Sequence, residues 1–121
     1  MAKFEIIFYQ KVDGAKPAKD FLLSLDKKMM AKMFLTIDIL RENGHDLREP
    51  YSKSLGDGIF ELRAKVGSNI TRVLYFFIVG NRIILTNGFV KKTQKTPSSE
   101  IKRAKEYRAD YLQRKEQEEN E

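Results

Sequence analysis

Residues 51–97, YSKSLGDGIFELRAKVGSNITRVLYFFIVGNRIILTNGFVKKTQKTP, decide the fold. Gly56-Asp57-Gly58 is a turn signal, and the segment from Ile59 to Val66 alternates in side-chain character. Strand side chains alternate faces, so Phe60, Leu62, Ala64 and Val66 share one face, and Ile59, Glu61, Arg63 and Lys65 the other. Gly67-Ser68-Asn69 then turns the chain into Ile70–Val79, a run apolar enough to predict a place in mid-sheet. Gly80-Asn81 turns it again into Arg82–Val90, which delivers Lys91, Lys92 and Lys95 to one edge. Three or four antiparallel strands are predicted, with basic residues at strand ends and turns. A small sheet that presents Arg and Lys suits an anionic partner.

Working outward, Lys3–Tyr9 alternates with Phe4, Ile6 and Phe8 on one face, and predicts a further strand that pairs with the same sheet. Asp13-Gly14 breaks it, and Pro17 suits the first position of a helix, where its missing N–H costs nothing. Ala18–Leu25 reads as a short helix burying Phe21, Leu22 and Leu25. A longer helix is predicted over Lys27–Asn43, capped by Ser24 or Asp26. Its apolar stripe is Met29, Met30, Met33, Phe34, Ile37 and Leu40, with Lys28, Lys32, Asp38 and Glu42 towards solvent and Gly44 in the left-handed closing position. After the sheet, Thr96-Pro97-Ser98-Ser99-Glu100 predicts a helix start with Thr96 as its cap. Ile101, Ala104, Tyr107, Arg108, Tyr111 and Leu112 give that helix a moderate stripe. The expected domain spans 1–113, followed by a polar, flexible tail over 114–121. The fold class is α+β: a first strand and two helices packed on a twisted, mainly antiparallel sheet, then a C-terminal helix.

At 121 residues, 41% hydrophobic and 11% aromatic, the chain can bury a core unaided. It carries a net charge of +6, which suits nucleic acid, an anionic membrane or an acidic protein. There is no cysteine, so disulfides and thiolate zinc sites are excluded. No apolar run approaches bilayer length and the N-terminus lacks a signal-peptide core, so the expected location is cytoplasmic, with no membrane partner. Neither a P-loop nor a dinucleotide fingerprint occurs, and no histidine pair or acidic cluster offers a metal site; no cofactor and no metal are expected. His45, the single histidine, sits in a polar loop without a carboxylate or serine at a recognisable spacing. What remains is Arg, Lys and Tyr on a sheet. That set suffices to cleave RNA, which brings its own nucleophile in the 2′-hydroxyl. The enzyme has to align it with the phosphate, offset the added charge and move protons.

The segments GDGIFELRAKVGSN, ITRVLYFF and GFVKKTQKTP, in this order, resemble the RelE/ParE toxin superfamily, most closely its HigB-like, phage-derived (Gp49-like) branch. The resemblance extends from Phe4 to about Tyr111. It implies a RelE-like fold and the toxin of a type II toxin–antitoxin system that cuts messenger RNA in the ribosome. Its partners would be the ribosome, the message and a cognate antitoxin, HigA-like and of the helix-turn-helix type. By position, the resemblance assigns Arg63 and Lys65 to the strand facing the phosphate. Arg72 matches the arginine of R-V-x-Y, which either positions phosphate or braces the sheet. Lys91 and Lys92 match the basic pair after the last strand, and Lys53 matches an RNA-gripping loop lysine, with Lys95 as a further RNA contact. Many relatives follow the basic pair with a functional tyrosine, where this chain has Thr93-Gln94-Lys95-Thr96.

Bland alternatives stand beside these roles. Arg63 could form only a surface ion pair with Glu61, and Tyr75 reads as core. As a whole, the chain could instead be a ParE-like toxin that binds gyrase and cuts nothing, or a non-enzymatic basic module that binds nucleic acid. The basic set on the strands favours RNA cleavage.

Overall fold

A computed structural model describes residues 3–91 and 95–119, and of Lys91 the backbone alone. Five strands, β1 (Glu5–Phe8), β2 (Ser52–Gly56), β3 (Ile59–Val66), β4 (Asn69–Ile78) and β5 (Arg82–Lys91), form one sheet in the order β1-β5-β4-β3-β2. The apolar β4 lies in the middle, as its composition requires. Only β1 runs parallel to its neighbour, β5; every other pairing is antiparallel. The mixed α+β architecture expected from the sequence is the one observed.

Helices α1 (Pro17–Leu23) and α2 (Lys27–Asn43) cover one face of the sheet. Asp26, not Ser24, caps α2: its carboxylate accepts the Met29 N–H at 2.9 Å. Met29, Met33, Ile37 and Leu40 pack against Leu62, Ala64, Val73, Tyr75, Ile83 and Leu85. The expected stripe is off at one edge. Thr36 is buried within it, its hydroxyl donating to the Lys32 carbonyl at 2.8 Å, whereas Phe34 is exposed beside Leu35. The hydroxyl is satisfied by the helix itself, so burying it costs little. Gly44 closes α2 at φ 52°, where an added Cβ would stand 2.0 Å from the Phe4 ring.

Helix α3 (Ser98–Glu119) covers part of the opposite face, with Ala104, Tyr107 and Tyr111 over Ile59, Leu74, Phe76 and Ile84. It continues well past residue 113, where the tail was expected to begin. Arg114 explains this: it binds Asp110 one turn back at 2.7 Å and donates to the Gln10 carbonyl. Lys105 and Arg108 hold the Asp57 turn, through an ion pair of 2.7 Å and a bond to the Asp57 carbonyl.

One irregularity governs the far end of the sheet. Leu74 pairs with Asn87 but Tyr75 pairs with Leu85, so Thr86 is an extra residue bulged out of β5. Its hydroxyl, with a single proton to share, lies 3.1 Å from the Leu74 carbonyl oxygen and 2.7 Å from Asn87 Oδ1. A bulge reverses the facing of everything after it. Asn87 and Phe89 therefore join the α3 side, and Gly88 turns to the other side, under Phe21.

Candidate functional site

The α3 side of the sheet divides in two. α3 packs over the end that carries Ile59, Phe76 and Ile84. Towards the other end, β3 carries Arg63, which is partly exposed, and Lys65, which is exposed. Register aligns the surroundings. Lys53, Glu61, Leu74 and Asn87 form one row across the strands, Arg63, Arg72 and Phe89 the next, and Lys65, Ile70 and Lys91 the last. Same-face rows lie roughly 7 Å apart along a strand, so the three rows span roughly 14 Å.

Glu61 is the centre of this arrangement, and it is fully buried. Its Oε2 accepts from Arg63 Nε at 2.7 Å, and its Oε1 lies 3.2 Å from Arg72 Nε and also accepts from the Thr96 hydroxyl. A carboxylate out of water requires such partners, and here two guanidiniums and a hydroxyl supply them. The Arg63–Glu61 pair is therefore no surface bridge, as the bland alternative had it. Arg63 Nη1 lies 3.8 Å from Glu49, so the guanidinium spans from the sheet face to the loop before β2. Of the two roles open to Arg72, its position fits the brace. At 1% exposure it lies within the protein against Glu61, and burial keeps it from a phosphate in solvent.

Lys53 and Lys95, distant in sequence, line one groove of about 310 Å³ with Leu55, Thr96 and Ile101. Lys53 stands on strand β2 rather than in a loop. Thr96 was expected to cap α3; its hydroxyl is instead directed to Glu61, which fastens the segment before α3 to the sheet. Asn87 completes the fastening with bonds to the Glu100 carboxylate at 3.0 Å and carbonyl at 3.3 Å. The backbone of Lys91 ends β5 beside Ile70, in the row of Lys65. Lys92 lies outside the described residues.

His45 takes no part here. Its ring stacks on Phe77 at 3.9 Å, towards the opposite end of β4 from Arg72. Tyr75 is core, as expected: burial pushes its phenol up to about 12, while its bond with Ser52 acts the other way. Among the described residues no three His, Cys, Asp or Glu side chains gather as a metal would need. Among the described residues no helix is long and apolar enough to cross a membrane.

Sequence reasoning treated Glu61 as a minor partner and Thr96 as a cap, and so missed the pair at the centre of the site. One signal was available. An arginine inside an apolar strand needs a buried acceptor, and Glu61 is the acidic residue on the same face of the neighbouring strand.

Comparison with curated proteins yields no match. A family model does match: residues 20–109, which hold the end of α1, all of α2, four of the strands and the first half of α3, fit Phage derived protein Gp49-like (DUF891). The chain belongs to this phage-derived Gp49-like family, a family of RelE/HigB-like toxins.

Proposed function

We propose that this toxin is an endoribonuclease that cuts messenger RNA in the ribosome, through the RNA's own 2′-hydroxyl. The observation that carries the reading is the pairing of Arg63 and Lys65 on the part of the sheet that α3 leaves open, with Arg63 oriented from beneath by Glu61. In the cleavage step the 2′-oxygen attacks the adjacent phosphorus, its proton leaves to a base, and the departing 5′-oxygen takes up a proton. Charge accumulates on the non-bridging oxygens. A guanidinium held by its Nε, with Nη1 towards the exposed Glu49, still has Nη2 for those oxygens, and because it is already oriented it needs little reorganisation. Lys65 and the Lys91-Lys92 pair are the candidates for proton transfer, and Lys53 and Lys95 for gripping the strand on either side.

Family membership implies an antitoxin partner. A helix-turn-helix antitoxin that excludes the toxin from the ribosome by bulk fits this chain, because Leu23, Phe34 and Leu35 expose apolar surface on α1 and α2; Leu35 shares a groove with Lys65, so such a partner reaches the border of the basic face.

The test is to express the chain and map the 5′ ends of cellular messages with translation running and with translation blocked. New ends that appear only during translation are expected. Growth arrest without new ends, accompanied by gyrase inhibition, would overturn the reading in favour of a non-cutting toxin.

A further inference from the structure

Tyr51 differs from the other four tyrosines. Tyr9 stacks on Tyr107, Tyr75 on Phe60, and Tyr111 meets Phe76 edge-on. Among the described residues no aromatic ring pairs with Tyr51, which is 41% exposed. Its backbone is nevertheless fixed: the Tyr51 carbonyl accepts the Arg63 N–H at 2.8 Å, and its own N–H donates to the Arg48 carbonyl at 3.0 Å. β2 starts just after it, so among the described residues no strand pairs with the outer edge of β3 beyond Arg63.

The gap left there is a cavity of about 430 Å³. Pro50, Tyr51 and Ile70 supply apolar wall, α2 closes it with Lys32, and Arg63 and Lys65 stand at its border. An anchored aromatic ring, apolar walls and adjoining cations are what a single-stranded nucleotide requires. The ring and walls take the base, and the cations take its phosphates.

We propose that this cavity is a nucleobase site, in which Tyr51 stacks on the base next to the phosphate held by Arg63 and Lys65. The proposal rests on the RNA reading of Arg63 and Lys65, and adds a determinant of which base stands beside the cut.

The probe is a short single-stranded RNA, 2′-O-methylated so that it binds without being cut, carrying one 2-aminopurine and a terminal dye. Dye polarisation reports binding, and 2-aminopurine fluorescence, which stacking quenches, reports the base. The wild-type chain should bind and quench at one position of the base along the strand. Tyr51→Ala should lose the quenching and weaken binding roughly 5- to 150-fold, the range for one base–aromatic stack. Tyr51→Phe should restore both, which a merely structural tyrosine hydroxyl would not allow. If Lys65→Ala weakens binding but Tyr51→Ala leaves the quenching unchanged, the base site is wrong and the RNA face stands. If the RNA does not bind even when carried as the message on a ribosome, or binds equally to Lys65→Ala, both readings fall together.

Discussion

Thr96 donates its hydroxyl to the buried carboxylate of Glu61, 35 positions earlier in the chain. This bond joins the segment before α3 to the strand that carries Arg63. It also places Glu61 where it neutralises Arg72 within the protein and orients Arg63 at its surface. One acidic side chain thus serves both the fold and the site.

Glu61→Ala should be the most damaging single truncation of the site. It leaves the buried Arg72 without this carboxylate, and breaking a buried pair by removing one partner costs about 3–5 kcal/mol. Urea unfolding measures it. Adding Arg72→Met to Glu61→Ala should recover part of the loss, because the buried charge that Glu61 had balanced goes too; strict additivity would show that the two residues do not act as a pair.

Lys65→Ala should act on rate and not on stability. Lys65 is exposed, and no ion pair to it is present among the described residues. Loss of one preorganised charge contact should lower cleavage about 10²–10³-fold, with the melting temperature unchanged. Primer extension on a translated message reads the first, and circular dichroism the second.

Tyr9 and Asp110 set the pH limits of the α3 contact. Burial first, and Asp110 second, push the Tyr9 phenol up to about 12, and burial does the same to Tyr75. A raised folded value means that stability is fully present below pH 10.0 and is lost as the pH rises towards about 12. Asp110 is held below its ordinary 3.8, chiefly by the Tyr9 hydroxyl, so its contribution is present above pH 3.8 and disappears as the pH falls through the depressed value. Tyr9→Phe should therefore make the acid limb shallower, with Arg114 still holding Asp110 down, and reduce the alkaline loss to the share of Tyr75. Chemical unfolding across pH checks both limbs.

Gly88→Ala should loosen α1. Its Cβ would lie 2.4 Å from the Phe21 ring, so the ring or the helix has to shift. Overpacking of this kind costs about 1–3 kcal/mol. Faster amide exchange within Pro17–Leu23 should accompany the lower stability.

Much was legible in the sequence because it was local. Alternation over Ile59–Val66 and the apolar run in Ile70–Val79 determined the strand faces and the central strand, since a side chain's face follows from its parity along the strand. Pro17, Asp26 and Gly44 marked the ends of α1 and α2 through caps and backbone angles that act within a turn. Tertiary structure alone decided what depends on partners far apart in the chain. The bulge at Thr86 has no sequence sign of its own, yet it brings Asn87 to Glu100 and aligns Lys91 with Lys65. Glu61 could be read as a surface partner until α3 and the segment before it enclosed its row. Burial of a charge is a property of everything packed around it, and no local pattern of residues contains that information.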